Sequence, residues 1–288
     1  MAVACRPILD RSLNVARAKG ILVRAGFWAL VFALIVWTAF IFFWMISLSL
    51  KSDVENTAYP PVFFPGQLNL SNYVEVFQKN PFLRYMLNSM IVGVGSTGLA
   101  LLFGAPAAYG IARWRRYGMG MAVLVARLMP GISFLIPWFI LFRILGLSDS
   151  YLTLILTHMV VGLPAVVWIL IGFFEEIHPE LLEASLVDGC GPFGTFLRIA
   201  LPLTVPGLAV SAILAFIFSW NNFVFSVILA GPHTRPLPVA VFNMMSFEHV
   251  VWGPLAAAAL IVTLPVLLLT LLVQRYIVMG LGAGGIKG

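Results

Sequence analysis

Apolar residues run along this chain in six long blocks, at 27–48, 88–112, 119–145, 152–174, 203–230 and 252–274. A helix needs roughly 20 apolar residues to cross the hydrocarbon core of a bilayer. In lipid the backbone must satisfy its own hydrogen bonds, so blocks of this length read as membrane-spanning helices. Trp28, Tyr85, Trp138, Tyr151 and Trp252 stand near block ends, where amphipathic rings favour the headgroup layer. The expected fold class is all-α and integral to a membrane, with six spans. Three polar connections are long: 49–86, 175–202 and 231–251. The first carries Pro60, Pro61 and Pro65 and a short helical pattern near 71–78, and the third carries Pro232, Pro236 and Pro238. The chain divides into a basic tail (1–26), a first span with its outer loop (27–84), a core of five spans (85–275) and a glycine-rich tail (276–288). No internal repeat is visible.

Composition removes the soluble alternatives. The 288 residues are 61% hydrophobic and 10% charged, with a mean hydropathy of +1.02. A water-facing surface takes about 25% charged residues, so lipid must cover much of this protein. The formal charge of +6 does not point to nucleic acid, because its carriers flank the apolar blocks. Arg6, Arg11, Arg17, Lys19 and Arg24 precede the first block, and Arg113, Arg115 and Arg116 follow the second. With Arg198, Arg275 and Lys287 they fall on one side of the membrane, against Lys51, Lys79, Arg84 and Arg235 on the other. The positive-inside bias then places both termini in the cytoplasm. Cys5 and Cys190 fall on that same side, where thiols stay reduced, and two cysteines make no disulfide framework. The first block is longer than a signal-peptide core and no Ala-x-Ala pattern follows, so it is expected to remain as a span.

The 175–202 connection carries the densest information. Pro179 suits a first helical position, with Glu180 and Glu183 near the favourable N-terminal turn. Leu182 and Leu186 are spaced to share a face. Gly189 is placed for a left-handed cap. Pro192 opens a second short helix whose Phe193, Phe196, Leu197 and Ala200 form an apolar stripe, and Pro202 breaks it into the next span. The expected product is a helix–turn–helix elbow. Its acidic residues, Glu175, Glu176, Glu180, Glu183 and Asp188, fit a basic partner surface or an ordinary solvated face equally well.

Glu183-Ala184-Ser185, Gly189 three residues beyond, and Ile199-x-Leu201-Pro202 after nine more resemble the "EAA" loop of binding-protein-dependent ABC importer permeases. The departure is Ser185, where the family usually has a second alanine. Over about 85–288, Arg127-Leu-Met-Pro130, Leu145-Gly146-Leu147, Ser219-Trp220-Asn221-Asn222 and Gly284-Gly-Ile-Lys-Gly288 are similar to the carbohydrate branch, near the smaller maltose-type subunit. Asn222 stands where many members have an acidic residue. The resemblance implies the type I importer permease fold, with a second homologous permease, two ATP-binding subunits and an extracytoplasmic solute-binding protein as partners. It implies that Glu183, Ala184, Ser185, Asp188, Gly189, Phe193 and Phe196 couple the elbow to an ATP-binding subunit, with Lys287 reaching the same pair. ATP and Mg would belong to those partners, with no cofactor on this chain.

What the sequence lacks agrees. None of the eleven carboxylates lies inside an apolar block, although ion-coupled carriers commonly place them there. No Gly-Lys pair exists, so there is no phosphate loop of the Gly-x4-Gly-Lys type. Gly93-Val-Gly-Ser-Thr-Gly98 matches a dinucleotide fingerprint but lies inside an apolar block, where small residues serve helix packing. The four histidines show no metal-ligand spacing. Arg127, Arg143, His158, Asn221 and Asn222 are costly to leave against lipid. Arg127, Trp220, Asn221 and Asn222 are the candidates for a path taking a sugar-like, hydroxyl-rich solute, and interhelical hydrogen bonding is the other use of such side chains. A lone ion-coupled carrier and a non-transporting scaffold are the competing functions.

Overall fold

The computed structural model describes residues 6–128, 131–245 and 250–284. α1 (Arg6–Leu50) carries the first apolar block, and the connection after it folds into α2 (Asp53–Thr57) and α3 (Ser71–Lys79). The second span is α4 (Phe82–Arg113). α5 (Tyr117–Leu128), a 3-10 turn (Gly131–Phe134) and α6 (Leu135–Ile144) occupy the third block, and α7 (Tyr151–Glu175) is the fourth span. The elbow comprises α8 (Pro179–Val187), α9 (Pro192–Thr195), one π turn (Phe196–Ala200) and α10 (Leu201–Leu203). α11 (Val205–Trp220) and α12 (Val224–Leu229) fill the fifth block. α13 (Leu237–Asn243) lies in the last connection, and α14 (Trp252–Gly284) is the sixth span.

Four helices are long and apolar enough to cross a membrane unbroken: Val23–Leu50, Phe82–Arg113, Tyr151–Glu175 and Trp252–Gln274. The third and fifth blocks, expected as continuous spans, are interrupted. In the fifth, the break follows from two asparagines. Asn221 donates its side-chain amide to the carbonyl of Ile217 at 3.0 Å, and Asn222 accepts the Phe225 N–H at 3.3 Å. The Asn222 side chain thus takes the Phe225 N–H that a continuous helix would give to the Asn221 carbonyl, while the Asn221 amide joins its own N–H on the Ile217 carbonyl. The elbow's second arm meets α11 at 78°. That turn falls at Thr204 rather than at the expected Pro202, which sits in the first turn of α10. By contrast, Pro106, Pro164 and Pro265 are carried inside continuous helices.

α4 and α7 form the central pair, α11 packs on both, and α14 packs on α11, α3 and α1. Small residues permit the close approach: a Cβ at Gly93 would lie 2.7 Å from the Phe216 ring, and one at Gly95 2.8 Å from Ile155. Gly93 and Gly95 are helix-packing positions, while Gly98, third in the fingerprint, is exposed and meets no neighbour. None of the most apolar stretch of α1 is buried in the bundle. The loop after α1 is tied down at its root, where Lys51 donates to the carbonyl of Val62 at 2.6 Å with its ammonium 4.6 Å from the Trp44 ring centroid.

Candidate functional site: the 175–202 elbow

α8 begins at Pro179, which needs no N–H partner in a first turn, with Glu180 beside it. It ends in a Schellman motif: the Cys190 N–H reaches the Ser185 carbonyl at 2.9 Å and the Gly189 N–H reaches Leu186 at 3.1 Å. Gly189 has φ +86°, and a Cβ there would touch nothing within 4 Å. Backbone conformation alone requires glycine at the turn.

The inward line of α8 runs through Leu182 and Ser185, both buried, and not through the expected Leu182–Leu186 pair. Leu186 is 41% exposed because the second arm meets the first at Ser185. There the Ser185 hydroxyl lies 2.8 Å from that of Thr195 and donates, also at 2.8 Å, to the Leu182 carbonyl. The second arm is underwound into a π turn, with the Leu201 N–H bonded to the Phe196 carbonyl. Its expected stripe divides: Phe196 and Ala200 are buried, while Phe193 and Leu197 face outward. The Phe196 ring centroid lies 5.1 Å from Tyr109 and 6.3 Å from Phe174, and those two lie 5.5 Å apart. Three rings therefore rivet the elbow to the ends of α4 and α7.

Glu183, Ala184, Asp188 and Gly189 line the outer side of the elbow, all exposed. Phe193 is 71% and Val187 87% exposed, and Leu181 and Leu197 are also open. Beside them runs a groove of about 430 Å³, walled by Tyr109, Arg113, Arg115 and Tyr117 opposite Glu175, Pro179, Leu182 and Glu183. The basic wall is shaped by Arg115, which holds a left-handed φ of 49° while the Arg116 N–H caps the Ile111 carbonyl at 3.0 Å. Tyr109, Phe174 and Thr195 carried no mark in the sequence, and Arg115 stood out only as one of the basic residues flanking a span. An aromatic inside an apolar block gives no signal of its own, and no glycine marks the turn at Arg115.

The other candidates are dispersed. Trp220 is 2% exposed, stacks on Phe216 and donates to the Val262 carbonyl at 3.0 Å, between α11 and α14. Asn221 is exposed and Asn222 half-buried at the break. Lys287 lies outside the described residues, as does the side chain of Arg127. Among the described residues no group of three His, Cys, Asp or Glu side chains clusters as a metal site.

At the other end of the bundle, Asp149 gathers the loop after α12. Its carboxylate accepts from the His233 N–H (3.1 Å), His233 Nδ1 (2.7 Å), the Thr234 N–H (3.0 Å) and the Thr234 hydroxyl (2.7 Å). Burial pushes this carboxyl up, but the Thr234 and His233 donors outweigh it and bring the pKa down to about 2. Asn88 adds bonds to the carbonyls of His233 (3.0 Å) and Arg235 (2.8 Å).

Residues 100–281, which contain the elbow and its aromatic rivet, match the family described as "binding-protein-dependent transport system inner membrane component". The chain belongs to this family. It is 35% identical over 273 residues to the trehalose transport system permease protein SugB of Mycobacterium tuberculosis, covering 92% of this chain and 98% of that one. It is 33% identical over 257 residues to the trehalose/maltose transport system permease protein MalG of Thermococcus litoralis, covering 86% and 91%. The fold matches a chain of a bacterial ABC transporter that imports alginate, with a TM-score of 0.75 at 22% identity, over 90% of this chain and 96% of that one. The protein is thus a multi-pass permease subunit of an ABC importer in the inner membrane, a non-catalytic component. The lone-carrier and scaffold readings give way to this assignment.

Proposed function

We propose that this permease admits a sugar or sugar-like solute (oligosaccharide, monosaccharide or polyol) and that the 175–202 elbow receives the stroke of an ATP-binding subunit. The observation that carries the coupling role is the elbow's two-sidedness. Phe196, Leu182 and Ala200 are buried in the bundle core, while Phe193, Val187 and Leu181 stand open around Glu183 and Ala184. A stiff element anchored on one face and apolar on the other passes displacement inward, whereas a loop without the rivet would dissipate it. Gly189 holds the two arms at a fixed angle, and Asp188 caps the first arm beside the contact.

In this scheme the elbow and both termini face the cytoplasm. A second homologous permease completes the pore, two ATP-binding subunits supply ATP and Mg, and the Lys287 tail reaches toward them. An extracytoplasmic binding protein docks on the outer loops, including 231–251. The sugar class is supported by relatives described as permeases for trehalose, trehalose/maltose and diacetylchitobiose. Non-helical backbone at membrane depth is tolerated only inside protein or beside water. The break at Asn221 and Asn222, with Asn221 exposed, therefore suits a hydrated path, and Trp220 backs it from the core. Arg127 belongs to the same proposal.

A photo-crosslinker at Ala184 in the purified assembly, with uptake of trehalose, maltose and diacetylchitobiose into proteoliposomes, tests the reading. It predicts a crosslink to the ATP-binding subunit and ATP-dependent uptake of at least one sugar. A crosslink only to lipid, or uptake that ignores ATP, would overturn it.

A further inference from the structure

The break in the fifth span is flanked by buried serines, and one side chain from another span reaches across it to both of them. His158, on α7, is 5% exposed. Its Nδ1 lies 2.8 Å from the Ser219 hydroxyl, in the last turn of α11, and its Nε2 lies 3.2 Å from the Ser226 hydroxyl, in α12. Ser96, midway along α4, donates to Ser219 at 3.0 Å. Ser96, Ser219 and Ser226 are all buried. The chain of bonds thus runs from α4 through α11 and α7 to α12.

We propose that His158 is a positioning residue whose two ring nitrogens bridge Ser219 and Ser226 across the break and so set where Asn221 and Asn222 stand. The proposal rests on the reading of those asparagines as part of the solute path. A neutral imidazole offers one donor and one acceptor. Whichever ring nitrogen carries the proton, one nitrogen donates to its serine and the other accepts from its serine, so each link has one donor and one acceptor. Serine in place of alanine at 219 and 226 has no packing advantage, and both hydroxyls end on one ring. α12 has six residues, too few to hold a helix by its own backbone. Phe225 and Leu229 fasten it to the core through Leu135 and Leu154. Packing of that kind fixes depth but permits sliding and rotation, whereas two directional bonds on one ring fix the angle between the half-helices. Lipid supplies no competing hydrogen-bond partner, so losing the ring leaves the buried Ser226 hydroxyl without its link and Ser219 bonded to Ser96 alone.

The test uses the assembled importer in nanodiscs and proteoliposomes, with His158→Leu to keep apolar volume and His158→Gln to restore part of the bonding. Amide exchange over 221–229 is expected to rise at least ten-fold in H158L and less in H158Q, while 88–100 of α4 is unchanged. Sugar turnover per assembled complex, at saturating liganded binding protein, is expected to fall at least ten-fold in H158L. H158Q should recover part of it, with half-saturation for the binding protein unchanged in both. Unchanged exchange in H158L, or H158Q behaving like H158L, overturns the bridge. Raised exchange with normal turnover overturns the positioning role. If the wild-type complex moves none of the sugars, the transport reading fails, and the exchange comparison still decides the bridge.

Discussion

Phe193 and Phe196 are three residues apart on one short arm, and the structure gives them opposite employment. Phe196 is 6% exposed between Tyr109 and Phe174, whereas Phe193 is 71% exposed. Truncating a buried phenylalanine costs about 3–5 kcal/mol, through lost transfer energy and the cavity left behind. Phe196→Ala should therefore lower the melting temperature of the detergent-purified permease by about 10 °C, taking about 2–4 °C per kcal/mol for a chain of this size. Phe193→Ala removes a side chain already in solvent, so the permease alone should melt within about 1 °C of wild type. Burying a whole phenylalanine is worth about 1.5–3 kcal/mol. With most of the ring open, about 1–2 kcal/mol is at stake on docking, or roughly a 5–30-fold weaker Kd for the ATP-binding subunit. The assay pair is a thermal melt of the permease and a titration of the ATP-binding subunit onto it in nanodiscs. Equal destabilisation by the two variants, or wild-type affinity for Phe193→Ala, would refute the two-sided elbow.

Ser185→Ala should destabilise by about 1–3 kcal/mol, because it leaves the buried Thr195 hydroxyl without its partner. Thr195→Val added to it should cost little more, and a double-mutant cycle of melts that came out additive would show that the arms are not joined there. At the end of the bundle opposite the elbow, the Asp149 carboxyl, ordinarily near 3.8, sits at about 2 when folded. A depressed folded pKa gives stabilisation that is complete above about 3.8 and lost as pH falls through about 2, here about 2 kcal/mol. Exchange at 231–237 should stay protected to about pH 4 and open below it. Opening already well above pH 4 would show that the Asp149 carboxylate does not hold the loop.

How much of this was legible in the sequence depends on the range of the interaction. Pro179, Gly189 and Pro192 act on their own backbone, and each does in the structure what its chemistry dictates, so the elbow could be drawn in outline. The short helix near 71–78 was equally local, closed by Lys79 in its last turn. The elbow's faces were not legible. Leu186 and Phe193 satisfy the helical spacing for burial, yet the Ser185–Thr195 contact rotates the arms and turns them outward. The fifth block reads as apolar on either side of Asn221, and the break shows only in the structure, where the Asn222 side chain takes the Phe225 N–H. Asp149 and His233 are 84 residues apart, and neither carries a local mark of the other. His158 looked like one more polar residue in a span until Ser219 and Ser226 came to opposite sides of its ring.

If displacement enters the bundle through this elbow, the amount of solute moved per ATP in proteoliposomes depends on the elbow's open face. Two variants lie on the exposed face of the elbow: Glu183→Lys, and Gly189→Val, whose Cβ meets nothing within 4 Å but whose backbone resists the left-handed turn by about 1–2 kcal/mol. Both should insert and assemble, and both should move at least ten-fold less sugar per ATP hydrolysed than wild type. Uptake per ATP at the wild-type ratio in both variants would contradict the account.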